Sequence, residues 1–158
     1  MIIENNKEKI MNETTENNLN VAKRFFKEFL GKGDLSVAED VLDENVQAFT
    51  GLKPAGAIDG REEYKAIFAQ FFDAFPPESE LEIEDIFAVD DRVVCRFRSV
   101  QKHAKDFFGV PASNRVITLI ETHVQRLRDG KIIENVVSAT NLEFEMLMAP
   151  VLAPLILK

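Results

Sequence analysis

Apolar side chains recur at the helical period in the first part of the chain. From Leu19 to Leu30 they fall on one face, and Gly31 and Gly33 end the run. A second, short helix is predicted directly afterwards, because Asp34 is a good N-cap residue and apolar positions follow it at helical spacing. This part of the sequence therefore predicts two consecutive helices joined by a glycine turn.

A third helix has the strongest pattern in the chain. After Asp59-Gly60, apolar residues fall at i, i+3, i+4, i+7, i+8 and i+11 between Tyr64 and Phe75. Pro76-Pro77 ends the pattern, because proline lacks the backbone N–H that a helix interior needs.

The period then changes from that of a helix to that of a strand. In residues 80–89 apolar and acidic positions alternate, and the phase slips at Glu84-Asp85, which predicts a β-bulge. After a turn at Asp90-Asp91, the alternation continues with Cys95 on one side and Arg96 on the other. This is typical of a half-buried antiparallel strand.

A long strand over residues 116–127, a two-residue turn at Asp129-Gly130 and a returning strand over residues 131–139 complete the pattern. Three helices followed by a meander predict an α+β domain in which the helices pack on one face of a curved sheet.

Composition indicates one intracellular domain. Residues 1–17 are rich in Asn, Glu and Lys and predict a flexible leader, and residues 18–158 predict a single domain. The formal charge of -8 and the absence of a basic tract argue against nucleic acid. Cys95 is the only cysteine, no run reaches the length of a membrane helix, and no secretion signal is present, so we expect a cytoplasmic protein.

Four segments, in order, resemble one known family. They are "GKGDLSVAEDVLDENV", "DAFPPESELEIEDIFAVDDRVVCRF", "HAKDFFGVPASNR" and "RLRDGKIIE". Together they are similar to the SnoaL-like polyketide cyclases of the nuclear transport factor 2-like superfamily, over a stretch from about Leu19 to Leu147. The resemblance implies a cone-shaped fold, with three helices closing one side of a strongly curved, mostly antiparallel sheet around an apolar pocket.

The same resemblance implies what the protein binds. Cyclases of this family use no metal or cofactor and act on ketone-rich molecules, so a small hydrophobic or carbonyl-containing ligand is expected, together with a homodimer formed through the sheet. The family's acid/base aspartate falls at Thr140, beside Asn141, and a second polar position falls near Ala48. Of the three polar pocket positions only His103 is present.

His103 has support from the strand pattern as well. If the alternation of Cys95 and Phe97 continues, His103 lies on the same apolar side, and its ordinary pKa suits proton transfer at neutral pH. A structural histidine at a strand end is the alternative. His103, Thr140 and Asn141 are thus the candidate catalytic residues. Asp106 and Glu134 are the next carboxylates. His123 is interpreted as a mid-strand residue beside Glu121 without clear apolar alternation, and His123 and His103 lack the spacing of a metal site.

Aromatic and aliphatic residues are expected to form the ligand-binding wall. A phenylalanine before a Gly-Pro turn is more often a core anchor, so Phe107 is assigned to the core and Phe108 is left open between pocket wall and core. The candidate wall residues are Phe26, Phe68, Phe72, Phe97, Phe108 and Val136.

Three functions are compatible with these features. The first is a cofactor-independent cyclase, isomerase or dehydratase that moves protons next to a carbonyl. The second is a non-catalytic binding or assembly module that has lost the family's aspartate, and the third is a structural dimer with a closed pocket. The apolar C-terminus, residues 146–158, is expected to cover the opening of the cone or a partner subunit.

Overall fold

A computed structural model describes residues 2–53 and 55–157 of the chain. The three predicted helices lie within residues 2–74, and two strands come between the second and the third. Helix α1 spans Ile2–Arg24 and continues into a π-helical turn at Phe25–Leu30. A 3-10 turn at Leu35–Val37 leads into the single turn of α2, Ala38–Val41. Helix α3 spans Arg61–Ala74. The three predicted helices are confirmed.

The π-helical turn changes which side chains α1 buries. A π-helix has an extra residue in its turn, so the buried face shifts in phase relative to an α-helix. Phe25, Phe26, Phe29 and Leu30 are all buried in consequence. The spacing predicted the last three of these and missed Phe25, which is fully buried.

The residues predicted to be a leader form the beginning of α1. Residues 2–17 have helical backbone and continue into the segment that the periodicity assigned to the helix. Their flexibility, and the division of the chain at residue 18, stay predictions.

The sheet has six strands in the order β2-β1-β6-β5-β4-β3. All neighbouring pairs are antiparallel except β1 and β6, which are parallel. The sheet is curved, and the α+β, cone-shaped fold that the sequence predicts is confirmed. The strands are β1 Leu42–Phe49, β2 Ile58–Asp59, β3 Glu82–Val89, β4 Arg92–Lys102, β5 Val116–Arg128 and β6 Lys131–Ala139.

The predicted bulge and hairpin are both present. The register between β3 and β4 shifts between Ile83 and Asp85, which leaves Glu84 as the extra residue. Asp129 and Gly130 both have positive φ, 51° and 73°, as a type I′ hairpin turn requires.

A fourth helix, α4, spans Leu142–Ile156 and was not predicted. It contains Pro150 and Pro154, and its Phe144 and Met148 are buried in the core. The helix covers the concave side of the sheet next to β5. Within the described residues, no helix combines the length and the apolar character needed to cross a membrane.

Candidate functional site

A cavity lies between the concave face of the sheet, α3 and α4, and we call it the sheet cavity. Its volume is about 110 Å³. Aromatic and aliphatic side chains form most of its wall, and its polar groups come mainly from β4, β5 and the start of α4. The lining residues are Leu30, Thr50, Gly51, Leu52, Phe68, Phe71, Phe72, Leu81, Phe97, Ser99, Gln101, Leu119, Glu121, His123, Val137, Ala139, Asn141, Phe144, Glu145 and Leu152.

Strand β5 directs a carboxylate and an imidazole inward. Side chains alternate between the two faces of a strand, so every second residue of β5 faces the helices. Glu121 and His123 occupy two successive inward positions, and the pairing places Glu121 opposite Phe97 and His123 opposite Cys95. The inward series is Ile117, Leu119, Glu121, His123, Gln125 and Leu127.

Glu121 and His123 begin a buried chain of hydrogen bonds. His123 Nε2 lies 2.9 Å from Glu121 Oε2, and its Nδ1 lies 3.0 Å from Asn135 Nδ2. Asn135 Nδ2 also donates to the Tyr64 hydroxyl at 2.9 Å. His123, Asn135 and Tyr64 are almost fully buried, whereas the Glu121 side chain is 19% exposed. Glu121 and His123 both line the cavity, and Glu121 is the more exposed of the two.

The proton positions in this chain follow from the donors. With the Asn135 amide oriented so that Nδ2 donates to His123 Nδ1, the imidazole proton is assigned to Nε2, which faces Glu121. In this orientation Asn135 Oδ1 is buried without a hydrogen-bond partner. Burial raises the pKa of Tyr64 far above its ordinary value, and the nearby Glu121 adds to this effect. Tyr64 consequently remains a neutral phenol at physiological pH.

Asn141 holds the second oxygen of the carboxylate. Its Nδ2 donates to Glu121 Oε1 at 2.7 Å, and its Oδ1 accepts from the Ile120 backbone N–H at 2.7 Å. Asn141 is at the N-cap position of α4, yet its side chain makes no capping hydrogen bond. An asparagine at this position ordinarily stabilises its own helix. Here it orients Glu121 instead.

Strand β4 adds two polar groups to the cavity. Ser99 and Gln101 are on its inward face and are 6% and 4% exposed. Gln101 Oε1 is buried and has no hydrogen-bond partner.

A second cavity, the outer cavity, adjoins the sheet cavity. Its volume is about 160 Å³. Gly51, Leu52, Phe144 and Leu152 line both cavities and separate them. The other residues of the outer cavity are Phe107, Phe108, Met148, Val151 and Leu155.

His103 is buried but does not line either cavity. The β4 alternation continues to it, as predicted. Its ring stacks on Phe75 at a centroid distance of 4.6 Å, and its Nδ1 accepts from the Ser113 backbone N–H at 3.2 Å. The His103 backbone also bonds Asn114 and Arg115. These contacts fix both ends of the loop between β4 and β5.

Thr140 and Asn141 are adjacent in sequence at the turn into α4, and they differ in burial. Thr140 is exposed, and its backbone N–H donates to Ile120 O. Asn141 is buried and lines the sheet cavity. Ala48, the other position implied by the resemblance, is buried beside Asn135 in the β1–β6 register.

The six predicted wall residues are distributed over three places. Phe68, Phe72 and Phe97 line the sheet cavity, and Phe108 lines the outer cavity. Phe26 lies in the core, with its ring edge against His123 at 5.2 Å. Val136 is 38% exposed on the convex face of the sheet. The ligand-binding role of these residues stays a prediction.

The sequence analysis missed the carboxylate of the site. His123 was interpreted as a mid-strand residue without clear alternation, and that interpretation is wrong, since it is buried in the inward series of β5. Counting in steps of two from Ile117 and Leu119 would have placed Glu121 and His123 inward. Asp106 and Glu134 are elsewhere: Asp106 accepts from Ala112 N in the loop, and Glu134 pairs with Arg126 in the sheet register.

Among residues 2–53 and 55–157, no three His, Cys, Asp or Glu side chains come together as a metal site requires.

Comparison with known proteins identifies a family for the chain. A family model described as SnoaL-like polyketide cyclase matches residues 20–144. A search of curated proteins finds no match.

Several solved structures share the fold. A candidate SnoaL-like polyketide cyclase from Jannaschia sp. CCS1 is 23% identical, with a TM-score of 0.75 over 85% of this chain and 93% of that chain. IdmH, a candidate polyketide cyclase from Streptomyces antibioticus, is 20% identical, with a TM-score of 0.67 over 84% and 98%. TsrD from Streptomyces laurentii is 16% identical, with a TM-score of 0.70 over 85% and 96%. At these identities the likeness concerns the fold.

Proposed function

Because the chain belongs to the SnoaL-like polyketide cyclase family, we propose that it is a cofactor-independent enzyme that moves a proton at the carbon beside a ketone carbonyl. The observation that carries this proposal is the carboxylate of Glu121. It faces an apolar cavity while His123 and Asn141 each hold one of its oxygens. A positioned carboxylate in such a cavity can act as a general base.

The proposed base is Glu121 rather than His103. Glu121 lines the sheet cavity, and the ring of His103 is enclosed between Phe75 and the loop. Asn141 keeps a part in the site, since it orients the base. His123 donates a hydrogen bond to the same carboxylate. This bond would stabilise the negative charge of Glu121 before it accepts the proton and after it releases it. The proposed reaction is a cyclisation, an isomerisation or a dehydration.

The size of the sheet cavity supports a compact ligand. Its volume of about 110 Å³ is below that of the engineered cavity of about 150 Å³ that holds benzene. A polycyclic molecule requires the outer cavity as well, and the two are separated by side chains of α4 and the loop at Gly51-Leu52.

A non-catalytic binding module is the second candidate function. It is favoured by Thr140, which stands where the resemblance implies the family's aspartate and is exposed. Such a module would bind the same ketones without moving a proton.

The convex face of the sheet supports the proposed homodimer. Phe87, Val94, Val124, Val136 and Phe49 are paired in register across five strands and form a continuous apolar row. We call it the convex row. Four of its members are between 38% and 49% exposed. An exposed apolar patch of this kind is typical of an interface, and a second copy of the chain is the proposed occupant. A cytoplasmic location likewise remains part of the proposal.

Hydrogen–deuterium exchange at the carbons beside the carbonyl of pentan-2-one tests the function. We expect the protein to accelerate deuterium incorporation in D₂O, followed by proton NMR, and Glu121→Gln to lower the rate by about 100-fold or more. The exposed Glu80→Gln is the matched control and should leave the rate unchanged. Binding of pentan-2-one without accelerated exchange would favour the binding module.

A further inference from the structure

Phe108 has a backbone conformation that disfavours its own side chain. Phe107 N donates to Val110 O at 3.0 Å and Val110 N donates to Phe107 O at 2.9 Å, so Phe108 and Gly109 form the tip of a two-residue turn. Both tip residues have positive φ, 46° and 81°, as a type I′ turn requires. Glycine accepts this conformation, whereas a bulky side chain in it is strained.

The other positive-φ positions of the described chain avoid this strain. Apart from glycines, they are occupied by Asp90, Asn114 and Asp129. Aspartate and asparagine adopt the left-handed conformation more readily than other non-glycine residues, because their short polar side chains can bond to the local backbone. Phe108 is thus the exception among the described residues, and its ring needs a separate explanation.

Packing in the core does not supply that explanation. Phe107 is the core anchor of the loop, since it is 3% exposed and its ring meets Phe75 edge-on at a centroid distance of 5.3 Å. Phe108 is 47% exposed, and its ring packs on Phe107 at a centroid distance of 4.5 Å. Burial of the Phe108 ring is therefore too incomplete to account for its place in a strained turn.

The outer cavity lies beside this ring. Phe108 forms part of the cavity wall, and Leu155 is among the α4 residues that line it. Both side chains are partly in solvent, at 47% and 54% exposed, so the cavity opens to solvent beside them. The α4 residues of the wall fall at i, i+4, i+7, i+8 and i+11 and are Phe144, Met148, Val151, Leu152 and Leu155.

The outer cavity suits an apolar ring in chemistry and in size. All the described side chains that line it are apolar. Its volume of about 160 Å³ slightly exceeds that of the engineered apolar cavity of about 150 Å³ that binds benzene. A benzene-sized group therefore fits it, whereas the sheet cavity, at about 110 Å³, is smaller than that reference.

We propose that the outer cavity is a binding site for one aromatic ring of a small molecule, and that Phe108 holds the ring there. A ring packed edge-to-face or offset against Phe108 gains a favourable aromatic contact in addition to burial. Strained backbone of this kind is typical of ligand clamps. The proposal does not rest on the proposed function, because neither Glu121 nor another titratable residue of the described chain lines the outer cavity.

Benzene is the probe for this site. In a titration followed by methyl NMR, we expect saturable shifts at Val151 and Leu155, which line the outer cavity and not the sheet cavity. Leu119 and Val137 line the sheet cavity alone and report on that site. The proposal is overturned if Val151 and Leu155 show no saturable shift, or if the shifts are confined to Leu119 and Val137.

The variant Phe108→Asn separates a ligand contact from a structural contact. Asparagine suits the first tip position of a type I′ turn, so the Tm should rise by about 2–4 °C. Loss of the ring should weaken benzene binding by about 5-fold or more. If the Phe108 ring were a structural anchor, the Tm would fall instead.

Met146→Asn is the matched control. Met146 is 69% exposed on α4 and lines neither cavity. The same replacement there removes an exposed apolar side chain and should leave the affinity for benzene unchanged. The proposal is contradicted if Phe108→Asn binds benzene as tightly as the parent protein, if its Tm falls, or if both variants lose affinity equally.

Discussion

Glu121 and His123 are two residues apart on one strand, and their side chains meet at 2.9 Å on the floor of an apolar cavity. The other carboxylate oxygen is bonded by Asn141 at 2.7 Å. These two bonds set the direction in which the carboxylate faces. Asn135 and Tyr64 continue the chain into the core, so the position of the candidate base depends on residues that no ligand touches.

Asn135→Leu should lower both stability and proton exchange. The change leaves His123 Nδ1 and the Tyr64 hydroxyl buried without a partner, which costs about 1–3 kcal/mol of unfolding free energy. It also removes the bond that fixes the imidazole proton on Nε2, so a slower deuterium exchange is expected. Urea unfolding measures the first effect. In a Tyr64→Phe background the loss should be smaller, because one of the orphaned groups is absent. Strictly additive effects would contradict the bonded chain.

Stability should decline at alkaline pH. Burial, with a smaller contribution from Asp85, raises the pKa of Cys95 to about 12, and burial raises that of Tyr64 as well. The folded chain therefore keeps protons that the unfolded chain releases near pH 8.5 and pH 10, roughly the ordinary values of these groups. This stabilisation is fully present below those values and is lost as the pH rises through and above them. The urea midpoint should fall between pH 8 and pH 11, and less steeply in Tyr64→Phe. An equal slope in both proteins would exclude Tyr64 as a source.

Phe144→Ala should join the two cavities. Phe144 lines both of them, and its truncation should cost about 3–5 kcal/mol while opening room for a larger ketone. We expect tighter binding of acetophenone than in the parent protein, measured by NMR titration. Met148→Ala is the control, since Met148 is buried and lines the outer cavity only. If both variants gain affinity for acetophenone equally, Phe144 is not the dividing side chain.

Val124→Asp should separate the proposed dimer. Val124 is at the centre of the convex row, between Val94 and Val136, and a charge there would be buried in the interface. Light scattering coupled to size-exclusion chromatography should show a dimer for the parent protein and a monomer for the variant. Asn20→Asp adds the same charge on an exposed position of α1 and should remain dimeric. If the parent protein is a monomer, the convex row is not a dimer interface.

Local signals predicted most of the fold. The Asp129-Gly130 turn, the phase slip at Glu84 and the prolines after α3 each act over a few residues, so the sequence alone locates them. Strand β1 was missed because its main partner, β6, is distant in sequence and the pairing is parallel. Helix α4 was missed because Pro150 and Pro154 are inside it, where proline ordinarily breaks a helix.

The candidate site was harder to predict for a related reason. A carboxylate and a histidine on the inward face interrupt the apolar alternation by which that face is recognised. Extending the alternation from Ile117 and Leu119 would have indicated their orientation, and the register with β4 and β6, which pairs Glu121 with Phe97 and Ala139, shows it directly. Asn141 was identified through the resemblance, and its bond to Glu121 required the three-dimensional arrangement.

The parallel pairing of β1 with β6 also constrains the order in which a nascent chain can fold. Ala48 pairs with Asn135 and Phe49 with Val136, so β1 has no place in the main sheet until the ribosome has made nearly the whole chain. The hairpins β3–β4 and β5–β6 join neighbours in sequence and can form as they emerge. Until β6 is made, the phenylalanines of the Phe25–Leu30 turn and of α3 can pack on one another but lack the complete sheet. In this interval the nascent chain exposes the most apolar surface that a chaperone could bind.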